Sequence, residues 1–252
     1  MDGEVLKMAA RYLPLALLLG AWEAASRLGW VPQSMLPSLS GVLGLWWRLL
    51  RDGDLVTNTG ASLLRAAAGL GLSILVGTAL GILMAWSSPL RRAVQPLVGI
   101  LYPLPKSALI PILMIWLGIG HLSKVAVIFL GCLLPVVLSA FNGANGVERT
   151  LIWSAQSLGA TRRDLLREIV APAALPEILS GIRIALALSF VLLVSSEMLA
   201  AREGLGFLIG FLGEAGNYEG MFAAVFTVAG LGFGADRAYL AGVRRALRWR
   251  EA

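Results

Sequence analysis

Apolar residues run along this chain in long, nearly uncharged blocks separated by short polar breaks, with no alternation of apolar and polar at every second position. Crossing about 30 Å of hydrocarbon takes roughly 20 apolar residues in a helix. Six blocks meet that need, at residues 9–26, 61–86, 98–117, 125–141, 178–199 and 221–240. Continuous blocks exclude a transmembrane β-barrel, whose strands alternate. The pattern predicts an all-α, polytopic membrane protein with six transmembrane helices, forming one domain over residues 1–252.

Composition agrees. With 58% hydrophobic and 14% charged residues, the chain has too little polar surface to coat a soluble globule of its length. Its mean hydropathy is +0.78. Orientation follows from the 21 Lys and Arg, because basic residues in short loops stay on the cytoplasmic side. With the N-terminus inside, thirteen fall on inner segments: Lys7, Arg11, Arg91, Arg92, Arg149, Arg162, Arg163, Arg167, Arg237, Arg244, Arg245, Arg248 and Arg250. Five fall outside (Arg27, Arg48, Arg51, Lys124 and Arg202), and Arg65, Lys106 and Arg183 lie in or at the ends of spans. The expected protein is multi-pass in the cell (inner) membrane with both termini cytoplasmic. Its net charge of +6 then reflects this bias and contact with anionic headgroups, so nucleic acid is no expected partner. The small residues Ala24, Ala25 and Ser26 mimic a signal-peptide cleavage site, but cleavage would leave five spans and part the termini. Cys132 is alone, so no disulfide framework exists.

Several stretches carry packing signals. In the second span Ala61, Gly69, Ser73, Gly77, Gly81 and Ala85 recur on one helical face, broken by Arg65; Gly230, Gly234, Ala238 and Gly242 repeat the theme in the last span. Such spacing lets helix backbones approach closely in lipid, within this chain or between chains. Residues 40–51 read as an interfacial helix with Trp46 and Trp47 at headgroup depth, and Glu23 with Arg27 as an i,i+4 ion pair. Residues 202–219 are expected to fold back as a short amphipathic piece.

The third span is irregular, because Pro96, Pro103, Pro105 and Pro111 remove backbone donors. Lys106 lies among them. An intramembrane cation costs roughly 3 kcal/mol on insertion scales, and two readings stand: a counter-charge along an anion path, or a long side chain that snorkels or pairs with a carboxylate. Ser195, Ser196 and Glu197, near the outer end of the fifth span, either meet solute and hold an outer gate or hydrogen-bond between helices. Arg183, about one turn inside the opposite end, is expected to snorkel.

Residues 147–176, between the fourth and fifth spans, are polar, basic and helical in pattern. Val147, Leu151, Ile152, Ala155 and Leu158 fall at helical spacing, Gly159 supplies a turn, and Thr161 with Asp164 forms a capping box for a second helix over 162–170. Pro172 is expected to end that helix and Pro176 to open the fifth span.

This loop resembles the Glu-Ala-Ala signature of the permease subunits of ATP-binding-cassette importers, which asks for a Gly four residues after the last Ala and an Ile-x-Leu-Pro ending ten residues beyond. The matching positions are Trp153, Ser154 and Ala155, then Gly159, then Ile169, Val170, Ala171 and Pro172; Trp153, Ser154 and Ala171 depart from the pattern. The stretches WEAASRLGWVPQSMLPS, LPKSALIPILMIWLGIGHLSKVAVIFLG and SSEMLAAREGLGFLI extend the resemblance over nearly the whole chain, toward the subgroup serving nitrate, sulfonate and taurine.

The resemblance implies a type I importer permease fold. Its coupling loop comprises Trp153, Ser154, Ala155, Leu158, Gly159, Ala160, Thr161, Arg162, Arg163, Ile169 and Pro172, with a translocation path near Lys106, Ser195, Ser196 and Glu197. It also implies cytoplasmic ATPase subunits, an extracytoplasmic substrate-binding protein and a second permease copy, most simply a homodimer. The chain lacks a G-x-x-x-x-G-K-[ST] loop, so no cofactor is expected on it, and ATP and Mg belong to the ATPase. A membrane protease is disfavoured because the one histidine, His121, falls in a short outer turn and no G-x-S-x-G occurs. An ion-driven carrier is disfavoured by the lack of an internal repeat.

Overall fold

The computed structural model describes residues 2–250, with side chains over 13–249; the expectations resting on Lys7, Arg11 and Arg250 lie outside the described side chains. Eleven α-helices follow one another: α1 Asp2–Arg27, α2 Leu39–Arg51, α3 Asp54–Trp86, α4 Ser88–Leu101, α5 Leu109–Leu117, α6 His121–Asn145, α7 Arg149–Ser157, α8 Arg162–Asp164, α9 Ala171–Leu199, α10 Leu205–Glu214 and α11 Tyr218–Ala246. No strand occurs among the described residues. Four helical stretches are long and apolar enough to cross a membrane: α3, α6, the unbroken Arg162–Leu199 and α11. A fifth is the pair α4 and Lys106–Leu117, bent by 86°. The expected first span falls on α1, part of which lies outside the described side chains, so the count of six is not reached among the described residues.

The core is α6 held between α3 and α9. Ile128, Cys132, Val136, Ala140, Ala174 and Ala185 are sealed from solvent there. The small-residue face of α3 makes this possible: a Cβ at Gly69 would lie 2.7 Å from Cβ of Ile128, and one at Gly77 2.9 Å from Cβ of Val136. Ser73 Oγ donates to Phe129 O at 2.9 Å, bonding the two backbones across that face. By contrast, a Cβ at Gly230, Gly234 or Gly242 of α11 would meet nothing within 4 Å. The same sequence signal is used inside the chain in α3 and left open in α11.

At one end, α2, α10 and α11 build a smaller core around Leu55, Leu205, Leu208 and Leu212. Ser38 caps α2 by accepting from Gly41 N at 3.2 Å. Trp46 Nε1 donates to Thr227 Oγ1 of α11 at 3.0 Å, so Trp46 is a packing residue, whereas Trp47 stays exposed. The Glu23–Arg27 pair forms at 2.6 Å, with Ser40 joined to both.

Three expectations are corrected. The third span, read as one stretch over 98–117, is two helices; α4 begins at Ser88, capped by Ser87 with Pro89 in its first turn, and Pro103 and Pro105 sit in the break. The helix entering the fifth span does not stop at Pro172 or restart at Pro176: Arg162–Leu199 is continuous over 38 residues. A π turn, Leu165–Val170, in which Ala171 N donates to Leu166 O, widens the helix just before Pro172. That wider turn makes room for the pyrrolidine ring, so the proline marks a change of helix type instead of an end. Arg183 does not snorkel free; its Nε and Nη2 meet both carboxylate oxygens of Asp236 on α11 at 2.7 and 3.1 Å. Tyr239 Oη donates to Leu179 O at 2.7 Å beside it, bolting α9 to α11.

Candidate functional site

The loop before α9 is a clamped elbow. Gly159 ends α7 at φ +85°, a left-handed conformation that residues with a Cβ rarely adopt. Gly159 N donates to Gln156 O at 3.0 Å and Ala160 N to Ala155 O at 3.0 Å, the paired bonds of a Schellman motif. The next residue opens a full capping box: Thr161 N donates to Asp164 Oδ2 at 2.9 Å and Asp164 N to Thr161 Oγ1 at 3.4 Å. Both sides of a four-residue turn are therefore fixed by hydrogen bonds.

The elbow has an inner and an outer face. Val147, Leu165 and Val170 are buried, and Ile152, Leu166 and Ile169 pack on the main core. Leu151, Trp153 and Leu158 point away, Leu158 being 89% exposed, with Ser154, Gly159, Thr161, Arg162, Arg163 and Pro172 also exposed and Ala155 and Ala160 half-buried. Apolar side chains thus stand exposed beside the exposed Arg162 and Arg163 on a hydrogen-bonded turn. Its motion would pass directly into α9, because the helix is unbroken.

At the far end of α9 the structure gathers charges that the sequence left separate. Glu197 is fully buried; Arg65 Nη1 donates to it at 2.7 Å, Ser62 Oγ at 2.8 Å and Gly206 N at 2.9 Å. Arg65 also donates to Glu203 O at 2.8 Å, to Glu203 Oε1 at 3.0 Å and to His121 Nδ1 at 3.1 Å. His121 Nε2 lies 3.2 Å from Glu203 Oε1. Gly204 N reaches Asn58 Oδ1 and Leu205 N reaches Ser62 Oγ, so the knot fastens the start of α10 to α3 and α9. Glu197 thus bonds between helices, the second of its two sequence readings. Ser196 Oγ turns back to Leu193 O of its own helix, and Ser195 is half-buried. The roles of Arg65, Ser62, Asn58 and Glu203 escaped sequence reasoning. The available signal was the arginine interrupting the small-residue face of α3, since a buried cation requires an acid elsewhere.

Lys106 stands at the break of the third span. Its Nζ donates to the carbonyls of Leu101, Tyr102 and Leu104 at 2.8, 2.9 and 2.7 Å. Beside it opens a cavity of about 500 Å³ between the break, α6 and α9. The structure does not bring Lys106 and Glu197 into one site; neither appears among the other's hydrogen-bond partners.

Long apolar helices, with buried charges drawn into a knot at one end of α9, define a helical membrane protein. The chain belongs to the family described as the binding-protein-dependent transport system inner membrane component, which matches residues 77–248. It is 34% identical to the taurine transport system permease protein TauC of Escherichia coli (strain K12), over 93% of this chain and 87% of that one. It is 31% identical to the putative aliphatic sulfonates transport permease protein SsuC of the same organism, over 98% and 94%. Its fold is similar to a chain of the inward-facing MetNI methionine ABC transporter, with a TM-score of 0.66 at 20% identity, covering 81% of this chain and 98% of that one. The all-α importer-permease fold read from the sequence is the fold found, and the chain is a permease component of an ABC importer in the inner membrane.

Proposed function

We propose that this permease forms, with a second copy of itself, the path for a small anionic solute of the sulfonate or taurine kind, delivered by an extracytoplasmic binding protein. The termini and the elbow face the cytoplasm. There Leu151, Trp153 and Leu158 enter a groove on an ATPase subunit that holds ATP and Mg, while Arg162 and Arg163 meet its acidic rim. The observation that carries this reading is the exposed, doubly clamped elbow continuous with Arg162–Leu199. Closure of the ATPases moves the elbow as a rigid body; α9 turns with it, and the Arg183–Asp236 bolt takes α11 along. The solute class is supported by the relatives' names and by the basic residue at the cavity.

Gly159→Val tests the coupling. Its backbone conformation is strained for a β-branched residue although nothing crowds the position. The variant is expected to insert into the membrane normally while losing co-purification with the ATPase and ATP-dependent uptake. Normal co-purification and uptake would refute the assignment of the elbow.

A further inference from the structure

Three cations of the third, second and fifth spans are treated differently by the fold. Arg65 and Arg183 each have carboxylate partners. Lys106 is absent from the five ion pairs among the described residues. One of its carbonyl partners, Leu101 O, has lost its regular helical donor for a covalent reason. In an α-helix the donor for carbonyl i is the N–H of residue i+4, and for Leu101 that residue is Pro105, which has none. Leu104 N reaches Leu101 O only at 3.4 Å, and the ammonium adds a closer bond at 2.8 Å at the 86° bend of the broken span.

Neutral carbonyls satisfy the three protons without cancelling the charge. That charge lies at the wall of the 500 Å³ cavity, a volume within the range of small-ligand sites. The cavity is lined by the polar groups of Lys106, Tyr102 and Ser139 together with the apolar side chains of Leu134, Leu138, Ile184 and Leu188. An inorganic ion gains nothing from that wall, and a wholly apolar molecule gains nothing from the ammonium. The matching ligand carries both features.

We propose that the cavity binds a small organic anion with a short alkyl tail, and that Lys106 meets its head group by leaving the carbonyl cage of the broken span. This rests on the permease reading above and adds the site and its consequence. A charge-assisted bond to an anion is about twice as strong as one to a neutral acceptor, so an arriving anion competes with Leu101, Tyr102 and Leu104. Once Nζ has left, Leu101 O keeps only the 3.4 Å bond from Leu104 N, and the bend loosens. Binding and a change at the break are then one event, because the ligand favours the state in which Lys106 is free.

The test uses the full chain in lipid nanodiscs, in a Cys132→Ala background, with spin labels on Leu97→Cys and Ile115→Cys, two exposed positions flanking the break. Butane-1-sulfonate is the probe, and the neutral butane-1-sulfonamide its control. The sulfonate is expected to shift the inter-label distance distribution where the sulfonamide does not, and Lys106→Met to abolish the response. Ile184→Glu, an exposed wall position on α9 that takes no part in the carbonyl bonds of Lys106, should raise the half-saturating sulfonate concentration at least tenfold without altering the unliganded distances. Equal responses to sulfonate and sulfonamide, or an unchanged half-saturation in Ile184→Glu, would overturn the proposal. Neither result touches the permease reading, which stands or falls on ATP-dependent uptake by the wild-type assembly.

Discussion

The two ends of the Arg162–Leu199 helix solve opposite problems. At its first residues, the backbone N–H groups from Leu158 to Thr161 are bonded locally while Leu151, Trp153 and Leu158 are left uncovered. At its last residues, Glu197 is fully covered and its bonds reach neighbouring α10 and, far away in sequence, α3. The elbow is rigid yet incomplete, and the knot is complete within the chain. A turn outside the main core can leave apolar area uncovered. A fastening inside the bundle cannot, because an unpaired charge in a low-dielectric setting is costly.

Three changes test this contrast. The largest effect is expected at the knot, where Arg65→Met leaves Glu197 buried without its cation and should cost about 3–5 kcal/mol of stability, read as a lowered unfolding midpoint in detergent. The double variant with Glu197→Met should recover most of that loss. A double variant no better than the single would show that the knot acts through its geometry, not its charge balance. At the elbow, Trp153→Ala is expected to weaken ATPase binding by about 2 kcal/mol, the scale of a buried aromatic anchor, with the unfolding midpoint unmoved. If stability falls and affinity stays, Trp153 belongs to the core and the contrast fails. Smallest is Thr161→Ala, which removes one half of the capping box and should cost about 1 kcal/mol. Hydrogen exchange over residues 162–166 is the appropriate readout, with faster exchange confined to that turn; a global increase would mean that the elbow is not a separate unit.

How much of this was legible depends on the range of the interaction. Gly159, Thr161 and Asp164 announced the clamped turn because its bonds join residues three to five apart. The face of α3 announced close packing through Gly69, Ser73 and Gly77, though not that α6 would be the neighbour. Pro172 misled because a proline's local rule is to stop a helix, while here a π turn accommodates it and the packing of Val170, Ala174 and Ile178 in the main core holds both sides in line. Lys106 was recognisable as unusual, but the identity of its partners depended on how sharply the third span bends.

The sequence by itself determined that this protein lies in a membrane, where most of its spans run, and that a stiff basic elbow interrupts them. Those features follow from composition and from spacings within a few helical turns. Only the tertiary structure decided that Arg65 meets Glu197 across 132 residues, that the helix runs unbroken from the elbow through α9, and that Lys106 spends its protons on the backbone beside a cavity. Such pairings are set by which helices come together in space, and a local pattern carries no record of its distant partner.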